Sequence, residues 1–117
     1  MYNRLFPIFL LVCLSVPAQS LSAATGAPVK DYPFEQVAEN TWVIHGPLDM
    51  PNVSNQGFMN NPGIVLTDSG VVIVDPGSSV QAGEMVLRML EKVSDQPVIA
   101  VFNTHIHGDH WLGNQAI

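Results

Sequence analysis

The stretch NTHIHGDHWLGN, residues 103–114, holds three of the chain's four histidines and an aspartate within six positions. His105 and His107 stand two residues apart. On a straight strand such a pair projects from one face about 6.5 Å apart, too far to share an ion. A curl is therefore required, and Gly108 would let the backbone turn sharply. Both imidazoles then come within the metal–nitrogen bond length of about 2.0–2.1 Å. Asp109 and His110 follow at once and can face a second position, a carboxylate oxygen beside an imidazole. Nitrogen and oxygen donors without sulfur suit zinc, and manganese or iron as well. The spacing excludes the helical zinc-protease pattern, which needs two histidines at i and i+4 with a glutamate between them. The rival reading is a loop of surface histidines without a ligand; four adjacent candidate ligands at one strand end weigh against it.

The elements that must carry this loop are legible upstream. Val98 to Phe102 is apolar and mostly β-branched, a strand. Ile64–Thr67 and Val71–Val74 form two more, joined by a tight Asp68-Ser69-Gly70 turn. The second is apolar at four consecutive positions, which predicts cover on both faces. Between them lies a helix, with Ser78 as its cap and Gln81 reaching back in a capping box. Ala82, Val86, Met89, Leu90 and Val93 fall on one face, Glu84, Arg88, Glu91 and Lys92 on the other. Asp95-Gln96-Pro97 stops it. A strand–helix–strand crossover implies parallel pairing, and ligands in such sheets bind beyond the carboxyl ends of the strands. THIHGDH hangs from that edge, and Asp75 ends the neighbouring strand on the same side.

Further upstream, FEQVAENTWVIHG predicts a hairpin, Phe34–Val37 and Thr41–His45, turning at Glu39-Asn40. Residues 46–63 hold three prolines, three glycines and four asparagines, a long turn-rich loop. Met50, Phe58 and Met59 are its candidates for gripping an apolar group. His45 reads as a surface turn residue, Trp111 as a core anchor, and Met85, Met89 and Leu90 as core.

Composition narrows the class. Hydrophobic residues make up 47% of the 117, enough for a core, and charged residues only 12%. Four basic residues face ten acidic ones, with no basic run, which argues against nucleic acid or an anionic membrane as partner. Residues 1–24 have one positive charge at Arg4, an apolar run from Leu5 to Val16 and then small residues, the order of a secretory signal peptide. Cleavage after Ala18, Ser20 or Ala24 fits. The run is broken by Pro7 and Pro17 and falls short of the roughly 20 residues a span needs, so no stable membrane anchor is expected. Cys13, the chain's one cysteine, lies inside this leader. The mature chain would have neither disulfide nor thiolate ligand and would be periplasmic or secreted. Residues 25–33 read as a flexible segment.

THIHGDH, preceded by GVVIVDPGSS and a strand–helix–strand, resembles the metallo-β-lactamase superfamily over residues 34–117. The stretch WVIHGPLDMPNVSNQGFMNNPGIVLTDSGVVIVDPGSSVQAGEMV looks most like exported hydrolase-like members of sulfur-oxidation and quinoprotein gene clusters. The resemblance implies an α+β fold, an αβ/βα sandwich with a mixed sheet, present here as its N-terminal half. It implies that His105 and His107 hold a first zinc ion and Asp109 and His110 a second, with Asp109 also handling protons in catalysis. Asp75 would be a buried residue orienting the ligand loop. The second half of such a domain supplies a further histidine, a bridging aspartate and a last histidine, so these 117 residues are expected to be a fragment, inactive alone. The expected chemistry is metal-assisted hydrolysis of a small-molecule ester, thioester or amide. The alternatives are an iron-dependent, persulfide-dioxygenase-like redox enzyme, and a non-catalytic metal-binding polypeptide.

Overall fold

The computed structural model describes residues 26–117. The expected leader, 1–24, and Cys13 lie outside the described residues. Five strands form one sheet in sequence order: β1 Phe34–Ala38, β2 Thr41–Ile44, β3 Gly63–Thr67, β4 Gly70–Val74 and β5 Val98–Phe102. The first four pair antiparallel, β1 with β2 and β3 with β4 through short turns and β2 with β3 across the long loop 45–62, and β5 joins β4 in parallel after the crossover helix α1, Val80–Leu90. At the β3–β4 turn Thr67 Oγ1 donates to the Gly70 carbonyl at 2.7 Å and accepts from the Ser69 amide. The sheet with its helix is an incomplete α+β domain of the expected kind.

Both ends of α1 differ from expectation. Ser79, not Ser78, caps α1: it is the last extended residue, and its Oγ accepts from the Ala82 amide at 3.1 Å. Ser78 Oγ instead donates to the Gly57 carbonyl, tying the long loop to the helix start. The helix also ends at Leu90, before Asp95-Gln96-Pro97. Lys92 and Val93 donate three residues back, to Met89 and Leu90, so the last turn tightens and the helix closes without help from proline.

The core lies between α1 and one face of the sheet. Ile44, Ile64, Val71 and Ile73 are fully buried from the strands, and Ala82, Met85 and Val86 from the helix, with Met89 and Leu90 nearly so. Register explains the set: Ile73 lies opposite Ile64 and beside Val101, so all three share the helix face. Each such side chain contributes about 1.5–3 kcal/mol by leaving water. The sequence predicted β4 to be covered on both faces. Among the described residues it is covered on one, and Val72 and Val74 on the other remain half-buried.

Residues 26–33 have no regular structure but are held along α1. Val29 is buried, and Tyr32 packs on Phe58 with ring centroids 4.8 Å apart. Arg88 donates to the Val29 carbonyl and pairs with Asp31 at 3.0 Å, and Lys92 pairs with the same carboxylate at 3.5 Å. Gln56 closes the other side, accepting from the Lys30 amide and donating to the Pro28 carbonyl. The apolar residues Val29 and Tyr32 pull in a stretch that proline and glycine marked as flexible.

Candidate metal centre

At the carboxyl edge of the sheet β4 ends on Asp75, whose φ of 51° is left-handed, a conformation rare for a residue with a side chain. Four hydrogen bonds hold it there. The Asp75 amide donates to the Phe102 carbonyl at 2.9 Å, which locks the ends of β4 and β5 together. Asn60, itself buried, donates from Nδ2 to the Asp75 carbonyl at 2.8 Å. The Asp75 side chain, 5% exposed, accepts from the Thr104 amide on Oδ1 at 2.8 Å and from the Thr104 hydroxyl on Oδ2 at 2.6 Å.

The chain then bends through 104–106 and enters a short helix α2, Gly108–Trp111, followed by a 3-10 turn, Leu112–Ala116. This bend supplies the expected curl. Gly108 opens α2 without a positive φ, so the curl does not depend on its freedom; a side chain there would instead press on Leu112 at 3.0 Å. Trp111 is 44% exposed and is not a core anchor as predicted: its indole N–H donates to the Ile106 carbonyl at 2.9 Å and latches the loop from outside. Asn103 and Asn114 exchange two amide hydrogen bonds, at 3.1 and 2.7 Å, and Asn103 also donates to the His110 carbonyl. A hollow of about 520 Å³ opens between His105, Ile106 and Trp111.

The four predicted side chains meet in this loop. His105 Nε2 and His107 Nδ1 face each other at 3.1 Å, and His110 Nε2 lies 3.2 Å from Asp109 Oδ2. The His105 and His110 rings are 4.0 Å apart, so all three imidazoles form one cluster. Two nitrogens bound to one tetrahedral ion at about 2.0–2.1 Å stand about 3.3 Å apart. Each pair thus has the spacing of two ligands of a single cation. His110 adds a second test of fit. Its Nδ1 lies 2.8 Å from Asp75 Oδ2, so a carboxylate faces each ring nitrogen. A neutral imidazole donates once, leaving a lone pair against the other carboxylate unless a positive charge lies between them. A divalent cation beside Nε2 satisfies both. The fit is to two half-sites: among the described residues no three histidine, cysteine, aspartate or glutamate groups form a complete metal site.

Burial pushes the Asp75 carboxyl up. The hydrogen bonds from the Thr104 hydroxyl and amide and from His110 outweigh that push, and the group lies below its ordinary value. Asp75 is therefore a buried anion that holds Thr104 and His110 of the histidine loop.

Residues 55–117 match the metallo-beta-lactamase superfamily. The chain belongs to that superfamily. A linear primary-alkylsulfatase of Pseudomonas sp. is 45% identical over 47 residues, which are 40% of this chain and 9% of that relative. The chain thus spans a small part of that relative's length. Within the superfamily domain, sequence reasoning missed Thr104, Asn103, Asn114 and Asn60, because short polar side chains in a loop carry no periodic signal. The expected gripping residue Phe58 is fully buried, packed against Tyr32, and cannot reach a ligand. On that loop the exposed apolar side chains are Leu48, Met50 and Val53, and His45 is a surface residue 3.5 Å from Glu35.

Proposed function

We propose that the chain carries one half of a dinuclear metal-dependent hydrolase site, zinc being the favoured ion. The observation that carries this is the pair of converging donor sets: His105 Nε2 with His107 Nδ1, and Asp109 Oδ2 with His110 Nε2. A divalent cation supplies Lewis acidity, which makes water a nucleophile at neutral pH and polarises the substrate's oxygen. In this reading Asp109 would accept a proton from the attacking water, and Asp75 keeps His110 turned toward Asp109. Candidate substrates are small molecules with a hydrolysable ester, thioester or amide; likeness to an alkylsulfatase adds sulfate esters. With two donors per ion, the described residues bind zinc weakly and do not turn over substrate by themselves.

The test is a zinc titration of the full chain beside a variant with His105, His107, Asp109 and His110 all replaced by alanine. Binding lost in the variant supports the reading; equal binding by both chains ends it. Turnover of a thioester, β-lactam or sulfate ester by the 117 residues alone would refute the half-site. Every donor is nitrogen or oxygen, so iron fits the same atoms. Recovery of iron together with oxygen uptake would replace hydrolysis by redox chemistry. Export of the chain predicts a mature N-terminus at Gln19, Leu21 or Thr25, read by N-terminal sequencing; recovery of the intact leader from a secreting host would reject it.

A further inference from the structure

Thr104 sits between the buried carboxylate and the first histidine of the cluster, and its contacts can be satisfied in one way. Its Oγ1 lies 2.6 Å from Asp75 Oδ2 and 2.9 Å from His105 Nδ1. A hydroxyl has one proton, and an ionised carboxylate can only accept. The Thr104 proton is therefore committed to Asp75, and the contact with His105 needs the ring to donate. The proton of neutral His105 must lie on Nδ1, which leaves Nε2 bare. That bare nitrogen is the one facing His107 Nδ1 at 3.1 Å.

We infer that Thr104 is a positioning residue that relays the orientation of Asp75 to His105, holding the ring proton on Nδ1 and presenting Nε2 as a lone pair. Asp75 fixes His110 in the same sense by direct contact, Nδ1 to Oδ2 at 2.8 Å. One buried carboxylate thus sets two rings, one directly and one through a hydroxyl. Among the described residues His107 has no such partner. With His105 Nε2 as an acceptor, His107 Nδ1 must donate to it while no cation is bound. A cation shared by the two nitrogens requires His107 to carry its proton on Nε2 instead. The cluster therefore consists of two preset rings and one ring that changes tautomer on binding, with no net gain or loss of protons. The preset tautomers follow from the hydrogen bonds alone; the change at His107 rests on the metal reading proposed above.

Ring-nitrogen NMR correlation spectra of the full chain test this at a pH of about 8, above the ordinary imidazole value of about 6.5. The expected spectrum of the zinc-free chain has the His105 proton on Nδ1, and a His105 proton on Nε2 overturns the relay. Thr104→Val should release His105 to the Nε2–H form, and Thr104→Ser should restore Nδ1–H. If the valine variant keeps Nδ1–H, the relay is wrong. Should that variant fail to fold, the wild-type spectrum and the serine variant still decide. Added zinc should move the His107 proton to Nε2 while His105 stays unchanged. Zinc affinity should fall about tenfold in Thr104→Val, and be kept in Thr104→Ser, as for loss of an orienting partner. If zinc leaves all ring signals unmoved while His105 carries Nδ1–H, the relay stands and the metal reading falls.

Discussion

Asp75 concentrates more of the site than any ligand does. It joins the ends of β4 and β5, accepts two bonds from Thr104, and faces His110. Its left-handed backbone costs on the order of 1–3 kcal/mol, which the surrounding bonds must offset. Aspartate tolerates that conformation better than most residues because its short side chain can bond locally. Asp75→Ala removes the acceptor of three hydrogen bonds and strands the Thr104 amide. Urea unfolding should show a loss of about 3 kcal/mol. The same variant should bind zinc at least tenfold more weakly, since both preset rings lose their orientation. A variant with wild-type stability and zinc affinity would show that Asp75 neither supports the fold nor orients the rings. The sequence could mark Asp75 as a strand-ending residue near the ligand loop. It could not assign its partners, because Thr104 lies 29 residues away and only the parallel pairing of β4 with β5 brings them together.

At the level of elements, the ligand loop is braced from behind by α1. The backbone of Gly113, in the 3-10 turn, packs directly on Gly83 of α1 and on Pro76. A Cβ at Gly83 would come 2.4 Å from the Gly113 carbonyl, and one at Gly113 would come 2.7 Å from the Pro76 carbonyl. The Gly113 amide donates to Gly77 at 2.8 Å across the same contact. On an isolated helix Gly83→Ala would stabilise by about 1 kcal/mol. Here the added methyl meets backbone, which cannot swing away, so the sign reverses. We expect a lower melting temperature and weaker zinc binding, because the displaced turn carries Asn114 and its clasp on Asn103. A raised melting temperature with unchanged zinc affinity would show that the turn does not brace the site. The amphipathic face of α1 was legible from spacing, since Ala82, Val86, Met89 and Leu90 are all buried. The close glycine contact was not, because a glycine in a helical pattern looks the same whether it faces solvent or another backbone.

Across the whole molecule, two carboxylates tie distant parts of the chain together. Asp75 joins β4 to the ligand loop, and Asp31 joins the entry segment to α1 through Arg88 and Lys92. The Arg88 hydrogen bond holds the Asp31 carboxyl below its ordinary value. At Asp75 burial acts upward, and the Thr104 and His110 bonds reverse it. Both groups bind protons more weakly folded than unfolded. Their stabilisation is therefore complete above the ordinary carboxylate pKa and is lost as pH falls through the lowered folded values. The urea midpoint should lose stability most steeply below about pH 4. Asp31→Asn should flatten part of that fall and leave zinc affinity unchanged. Its share should shrink in high salt, because the ion pairs are exposed and screened. A midpoint that rises on acidification would contradict both assignments.

Local patterns by themselves determined the strands, the crossover helix and the position of THIHGDH at a strand end. Periodicity of two or 3.6 residues survives in any packed structure and needs no knowledge of partners. The clustering of His105, His107, Asp109 and His110 was legible for the same reason, since four donors within six residues converge through local geometry. Tertiary structure decided what no local pattern encodes: that Asp75 reaches Thr104 and His110, that Phe58 is spent on the core, and that Trp111 latches the loop from its exposed side. These depend on which residues far apart in the chain meet once β5 lies against β4, and hydrogen-bond direction acts only after they have met.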